Sequence, residues 1–283
     1  MLIMRDIKQM QDFSRKVKRR GRSLGLVPTM GALHEGHLSL IRKARHDNDK
    51  VVVSIFVNPA QFGPAEDYRR YPRNLKHDAD LCKKEGVDAI FYPDAKKMYP
   101  DDYKTFVSVQ DLSELLCGKS RHGHFRGVAT VVTKLFNIVE PDTAYFGQKD
   151  AQQSIIVRKI VRDLNIPVKI KVMPTVREKD GLALSSRNAY LNKQERKDAS
   201  VLYQSLKLAE LLTKGGLKAT DRIISRISEV IQKKKTAKID YIAIVDTENL
   251  KAQKKVSGSC LIALAVWIGR TRLIDNIIIC PKN

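Results

Sequence analysis

Residues 24–57 read LGLVPTMGALHEGHLSLIRKARHDNDKVVVSIFV. An apolar run, Leu24 to Val27, breaks at Pro28 into a turn-forming stretch with Gly31 and Gly36. A helical pattern follows over Gly36–Asp47, and then VVVSIFV, Val51–Val57, reads as a strand buried on both faces. Strand, crossover helix and buried strand within about thirty residues make a βαβ unit, and hence a parallel sheet. The same alternation recurs downstream. It predicts helix 74–85, strand 87–92, helix 125–139, strand 143–146, helix 150–164 and strand 168–173. Right-handed crossovers place helices on both faces of such a sheet, and ligands bind beyond the carboxyl ends of its strands.

After about Val176 the pattern changes. Two helical stretches, 193–212 and 220–234, are separated by Gly215-Gly216, and three strand-like stretches follow at 239–245, 260–267 and 273–280. Helices grouped before strands suggest a smaller α+β domain. The expected organisation is residues 1–176 as a parallel α/β domain and 177–283 as a C-terminal α+β domain.

The chain of 283 residues is 43% hydrophobic, enough for a sizeable core. Its N-terminus turns charged after four apolar residues, and no stretch reaches membrane-spanning length, so a cytoplasmic enzyme is expected. Cys82, Cys117, Cys260 and Cys280 form no CxxC pair, which argues against zinc and leaves them as reduced structural residues. The formal charge of +21 favours nucleic acid, an anionic membrane surface or small phosphorylated substrates, while the densest runs, Lys16–Arg22 and Lys233–Lys235, read as solvated surface at helix ends. Aromatics make up only 6% and sit mostly within apolar runs, against a nucleic-acid-binding face; no specific nucleic acid is expected.

Four polar clusters follow predicted strands. The first is Met30-Gly31-Ala32-Leu33-His34-Glu35-Gly36-His37, where two imidazoles share one helical turn at a helix start. The unpaired N–H groups and positive dipole end there attract phosphate and favour neutral imidazole donors. Two surface histidines flanking a tight turn are the plain alternative. The second cluster, Asn58-Pro59-Ala60-Gln61, offers two amides to a carboxylate or hydroxyl, or is an ordinary Asn-Pro turn. The third, Gly147-Gln148-Lys149-Asp150, combines close backbone approach, a mobile cation and an acid that could equally be an N-cap. The fourth, Leu184-Ser185-Ser186-Arg187, carries two hydroxyls and a guanidinium suited to polyphosphate.

Together these blocks resemble the pantoate-β-alanine ligase family. The resemblance runs through PTMGALHEGH, SIFVNPAQFG, Tyr71-Pro72-Arg73, GHFRGVATVVTKLFNIVEPDTAYFGQKDAQQ and PTVREKDGLALSSRNAYL, in family order over the first two thirds of the chain. Ala60 and Leu184 stand where other members often carry methionine.

The resemblance implies a Rossmann-like nucleotidyltransferase domain with a C-terminal lid. It also implies a cytoplasmic homodimer, with ATP and Mg²⁺ required and Mg²⁺ bound mainly through the ATP phosphates. Pantoate would attack the α-phosphate of ATP, and β-alanine would then displace AMP from pantoyl adenylate. By the same resemblance Met30–His37, Gly147–Asp150, Val176 and Leu184–Arg187 face ATP. Gln61, Gln153 and Asn58 belong to pantoate, Gln61 also to β-alanine, and His34, His37, Lys149 and Arg187 are the catalytic group. An aminoacyl-tRNA synthetase-like enzyme is the rival reading, since it shares an HxGH-type motif and adenylate chemistry.

Overall fold

The structure is a computed structural model that describes residues 1–64 and 66–280. The chain divides into two compact units, each described on its own. The first comprises Met1–Glu114, Gly118–Gly147 and Gln153–Pro174; the second comprises Leu115–Cys117, Gln148–Gln152 and Thr175 onward.

In chain order the elements up to Met173 are β1 (Leu2–Met4), α1 (Ile7–Arg19), β2 (Leu24–Thr29), α2 (Glu35–Asp47), β3 (Lys50–Ile55), α3 (Leu75–Lys84), β4 (Ala89–Phe91), α4 (Ala95–Met98), α5 (Cys117–Ser120), α6 (His124–Val139), β5 (Thr143–Gly147), α7 (Ala151–Asp163) and β6 (Lys169–Met173). The six strands form one sheet in the order β1-β4-β3-β2-β5-β6, and every pairing is parallel. Apolar side chains of α1, α6 and α7 cover one face, packing on Leu24, Leu26 and Phe146. Leu38, Ile41 and Ala44 of α2, with Cys82 of α3, cover the other face over Val27, Val53 and Tyr145. Burial on both faces is the reason these strands read as continuous apolar runs.

The strand order reverses at β2, whose two neighbours are β3 and β5. Hydrogen bonds alternate along β2. Thr29 O accepts from Phe56 N–H on the β3 side, and Leu24 O accepts from Asp142 N–H on the β5 side. That alternation turns Pro28, which has no N–H to donate, toward β5. Pairing with β5 has by then ended, because its register covers only Gly25 and Leu26. The two strands therefore part at their carboxyl ends, at the topological switch point where a doubly wound sheet binds ligands.

The second unit holds α8 (Lys193–Ala199), α9 (Val201–Lys214), α10 (Thr220–Gln232) and the antiparallel sheet β7 (Ala237–Asp246), β8 (Cys260–Ile268) and β9 (Thr271–Ile279). Ile223, Ile227 and Ile231 recur every four residues along α10 and are fully buried, in a core shared with Leu202, Leu206, Ile262 and Leu264.

Helices α1, α4 and α5 were not among the expected elements, and two further differences have a physical reason. Leu2–Met4 forms an edge strand paired with β4, too short to show any periodicity of its own. The helix expected over 193–212 is two helices joined at Ser200, which closes α8 and opens α9. All four cysteines are free thiols, as expected. Among the described residues no helix is long and apolar enough to cross a membrane.

Candidate active site

The turn after β2 is held by its own side chains. Thr29 Oγ1 donates to Ser54 O (2.7 Å) and accepts from Gly31 N–H (3.1 Å). Gly31 and Ala32 both take left-handed backbone, φ 84° and 50°. This costs little at glycine, whereas Ala32 must be held there. The restraint comes from Asp78 of α3, which is 1% exposed. Its carboxylate accepts from Ala32 N–H at 3.0 Å and Leu33 N–H at 2.9 Å. Those two amides are thus committed to an internal anion.

His34 is the N-cap of α2, and the two histidines close a reciprocal capping box. His34 Nδ1 accepts from Gly36 N–H at 3.2 Å, and His37 Nδ1 accepts from His34 N–H at 3.4 Å. A backbone N–H can only donate, so each Nδ1 is the lone-pair nitrogen and each neutral ring carries its proton on Nε2. The ring centroids stand 4.1 Å apart. Glu35, between them, is ion-paired with Arg42 on the helix surface.

The amides after β3 are fixed by the same logic. Asn58 is 1% exposed. Its Nδ2 donates to Gly127 O (3.0 Å), and its Oδ1 accepts from Ala60 N–H (3.3 Å) and Tyr99 O–H (2.9 Å). Backbone partners of fixed polarity leave one orientation for the amide. The other Nδ2 hydrogen goes to Gln61 Oε1 at 3.0 Å, which leaves the NH₂ of the buried Gln61 as the donating end, with one bond to Met30 Sδ at 3.1 Å. Gln61 therefore presents a donor, suited to a hydroxyl or carboxylate oxygen. Burial and the neighbouring Tyr103 push the Tyr99 hydroxyl above its usual range, so it stays a protonated donor to Asn58. Glycine at 127 is required by this turn: a Cβ there would overlap Ala60 O and the Gln61 backbone.

In the second unit, Asn276 of β9 holds the 148–150 turn. Its Nδ2 donates to Gln148 O (3.0 Å) and Lys149 O (2.9 Å), and its Oδ1 accepts from Gln148 Nε2 (2.9 Å). Lys149 Nζ lies 3.6 Å from Asp150 Oδ1. The structure opens α7 one residue after Asp150, through a 3₁₀ turn over Gln148–Asp150.

Adjacent Asp275 takes both arms of the Arg177 guanidinium, at 2.6 and 3.0 Å. Burial nevertheless pushes the Asp275 carboxyl above its usual range, against the pull of Arg177. Leu184 N–H donates to Val176 O (3.0 Å), so a hairpin sets these two predicted residues side by side. Ser185 Oγ caps the following 3₁₀ turn by accepting from Arg187 N–H at 3.3 Å.

Gln152 and Gln153 are neighbours with different positions. Gln152 spans Cys117 N–H (3.0 Å) and Leu115 O (2.7 Å). Gln153 sits half-buried in the first turn of α7, on the side of the chain division that carries the parallel sheet. A Cβ on Gly147 would meet nothing within 4 Å, so the packing of the chain itself does not demand glycine there.

The sequence model of the pantoate-beta-alanine ligase family matches residues 2–278. This chain belongs to that family. It is 55% identical to a pantothenate synthetase of Caldicellulosiruptor bescii over 282 residues, with 100% of both chains covered. A pantothenate synthetase of Thermotoga neapolitana is 54% identical, covering 99% of this chain and 100% of its own. Among solved structures, pantothenate synthetase from Thermus thermophilus superposes with a TM-score of 0.93 at 43% identity, covering 98% of this chain and 99% of that one. Pantoate-beta-alanine ligase from Francisella tularensis, solved with beta-gamma ATP and beta-alanine, gives 0.81 at 37% identity with both chains fully covered.

Several residues that hold the turns described above were not singled out from sequence. Asp78 had a visible signal, since a carboxylate stands at the buried register of α3 beside Leu75 and Cys82. Tyr99 and Asn276 had none, because their partners lie 41 and 128 residues away.

Proposed function

We propose that the chain ligates pantoate and β-alanine to pantothenate, forming pantoyl adenylate from ATP and releasing pyrophosphate and AMP. The observation that carries this reading is the family match along residues 2–278. The local geometry is consistent with it. Adenylylation requires a carboxylate placed in line with the α-phosphate and donors where charge builds toward pyrophosphate, with no covalent enzyme nucleophile. Gln61, its oxygen held by Asn58 and its NH₂ the donating end, orients pantoate together with Gln153. His34 and His37 donate Nε2–H to the nucleotide phosphates as neutral groups, so no bound proton has to be displaced. Lys149 and Arg187 are the cations, and Gly147–Asp150, Val176 and Leu184–Arg187 complete the ATP site. Gln61 also receives β-alanine, whose amine displaces AMP from the mixed anhydride.

Mg²⁺ would be carried mainly on the ATP phosphate oxygens, hard oxygen ligands of the kind it prefers, with Asp150 the carboxylate of the 147–150 turn. When bound, the ion neutralises phosphate charge. The reading extends to a nucleotide domain over 1–176, a lid over 177–283 that keeps water from the acyl adenylate, and a cytoplasmic homodimer.

Incubation with ATP, Mg²⁺, pantoate and β-alanine tests the reaction. Pantothenate appearing one-to-one with AMP is the expected result, and ADP as the stoichiometric product would overturn the adenylate route.

A further inference from the structure

The main-chain carbonyl of Gln61 is held by a chain of side chains separate from the two amides described above. Arg121 forks onto Glu66, with Nε to Oε1 at 2.7 Å and Nη2 to Oε2 at 2.8 Å. Both side chains are largely buried, at 17% and 25% exposure. Burial opposes the Glu66 charge, yet the Arg121 contacts hold its carboxyl below the usual range.

The remaining Arg121 nitrogen, Nη1, lies 2.9 Å from His124 Nε2. A guanidinium only donates, so Nε2 is the lone-pair nitrogen and the neutral ring carries its proton on Nδ1. That proton is directed at Gln61 O, 2.8 Å away, and a carbonyl only accepts. Each link fixes the polarity of the next: carboxylate, guanidinium, Nδ1–H imidazole, carbonyl.

The local backbone brings the chain together. His124 N–H closes a turn onto Arg121 O (3.1 Å), through Gly123 at φ 77°. Glycine at 127 lets the same helix approach the 59–61 turn. Gln61 is thus gripped twice, at its side-chain oxygen by Asn58 and at its main-chain oxygen by His124.

We infer that Glu66, Arg121 and His124 form a positioning relay that sets the Gln61 amide for pantoate and ties the segment after Gln61 to the start of α6. This rests on the assignment of Gln61 to pantoate. None of the three is a catalytic residue. Removing a link frees the main chain at Gln61 without touching the histidines or cations assigned to ATP, so the loss falls on pantoate. Misplacement of a substrate-holding group by about an ångström costs up to about a hundredfold.

The test is steady-state kinetics on the full chain with pantoate and ATP varied separately, with Tm as the control for folding. His124→Ala and Arg121→Ala should each raise the pantoate KM by about ten- to a hundredfold while the ATP KM stays within about threefold. The double variant should be little worse than either single one, as expected for groups acting through one another. His124→Asn places an amide N–H where Nδ1 stood and should recover most of the loss; His124→Gln, which reaches only toward Arg121, should not.

An unchanged pantoate KM in a folded His124→Ala or Arg121→Ala variant overturns the relay. So does an equal rise for both substrates, or equal rescue by Gln and Asn. Gln61→Ala separates the two levels. If it raises the pantoate KM and the relay variants do not, the relay alone fails; if it leaves that KM unchanged, the Gln61 assignment fails and takes the relay with it.

Discussion

Replacing Asn58 by Asp would invert the polarity of the proposed pantoate site without changing its shape. In the native chain Asn58 Nδ2 faces two acceptors, Gly127 O and Gln61 Oε1, both at 3.0 Å. A carboxylate there puts an anionic oxygen against the Gly127 carbonyl, which only uptake of a proton can relieve, and against Gln61 Oε1, which rotation of the Gln61 amide can relieve. The rotated amide donates Nε2–H to the new carboxylate and turns its oxygen toward pantoate. Where pantoate met a donor it now meets an acceptor.

Losing one hydrogen bond to a charged group costs about 1.5–3 kcal/mol, so kcat/KM for pantoate should fall by about ten- to a hundredfold, at about 1.4 kcal/mol per factor of ten. The Gly127 contact, whether left repulsive or relieved by forcing a proton onto the carboxyl, falls mainly on stability, and Tm should drop as well. ATP binding, measured by titration calorimetry without pantoate, should stay near the parent value. The decisive assay varies pantoate at saturating ATP in Asn58→Asp and in Asn58→Asp/Gln61→Ala. If Gln61 transmits the inversion, removing it should abolish the difference between Asn and Asp at position 58. A folded Asn58→Asp enzyme with the parent pantoate KM would refute the reasoning about amide orientation.

Three other outcomes are expected. His37→Ala should slow pantoate-dependent exchange between pyrophosphate and ATP by about a hundredfold, comparable with loss of one preorganised donor. His37→Gln should recover part of it if the Nε2–H alone matters, and exchange at the parent rate in the alanine variant would make the histidine structural. Lys149→Ala should suppress adenylate formation with little change in Tm, because the ion-pair partner of Lys149 is its sequence neighbour Asp150; retained exchange would make it a surface charge. The last concerns Asp47. Burial opposes its ionisation, but hydrogen bonds from Lys171, Lys43, His46 and Tyr145 hold its carboxyl far below the usual range. A carboxyl depressed in the folded state adds stability that is present above its unfolded pKa of about 3.9 and lost as pH falls below it. Tm should therefore fall on acidification below about pH 4, and Asp47→Asn should flatten that fall; an identical pH profile for both proteins would contradict this role.

The sequence by itself determined the elements whose signals are local. Strand runs such as Val51–Val57 are legible because both faces are buried and nearly every residue is apolar. The helix over 74–85 is legible because Asn74 caps it by accepting from His77 N–H and an apolar stripe runs along it. The order of the functional blocks was also fixed, since chain order needs no three-dimensional information.

Only the tertiary structure decided which strands are neighbours, that Leu2–Met4 is a strand at all, and that the helix over 193–212 breaks at Ser200. It also decided the hydrogen-bond partners of His34 and His37 and of the Gln61 amide, from which their donor and acceptor ends are assigned. A donor or acceptor is assigned by its partner, and for Asn58 and Gln61 those partners lie far along the chain. Gly127 is 69 residues from Asn58, and His124 is 63 from Gln61. Composition and periodicity report what each segment buries. They do not record which distant carbonyl or amide it meets, and in this site that meeting sets the chemistry offered to substrate.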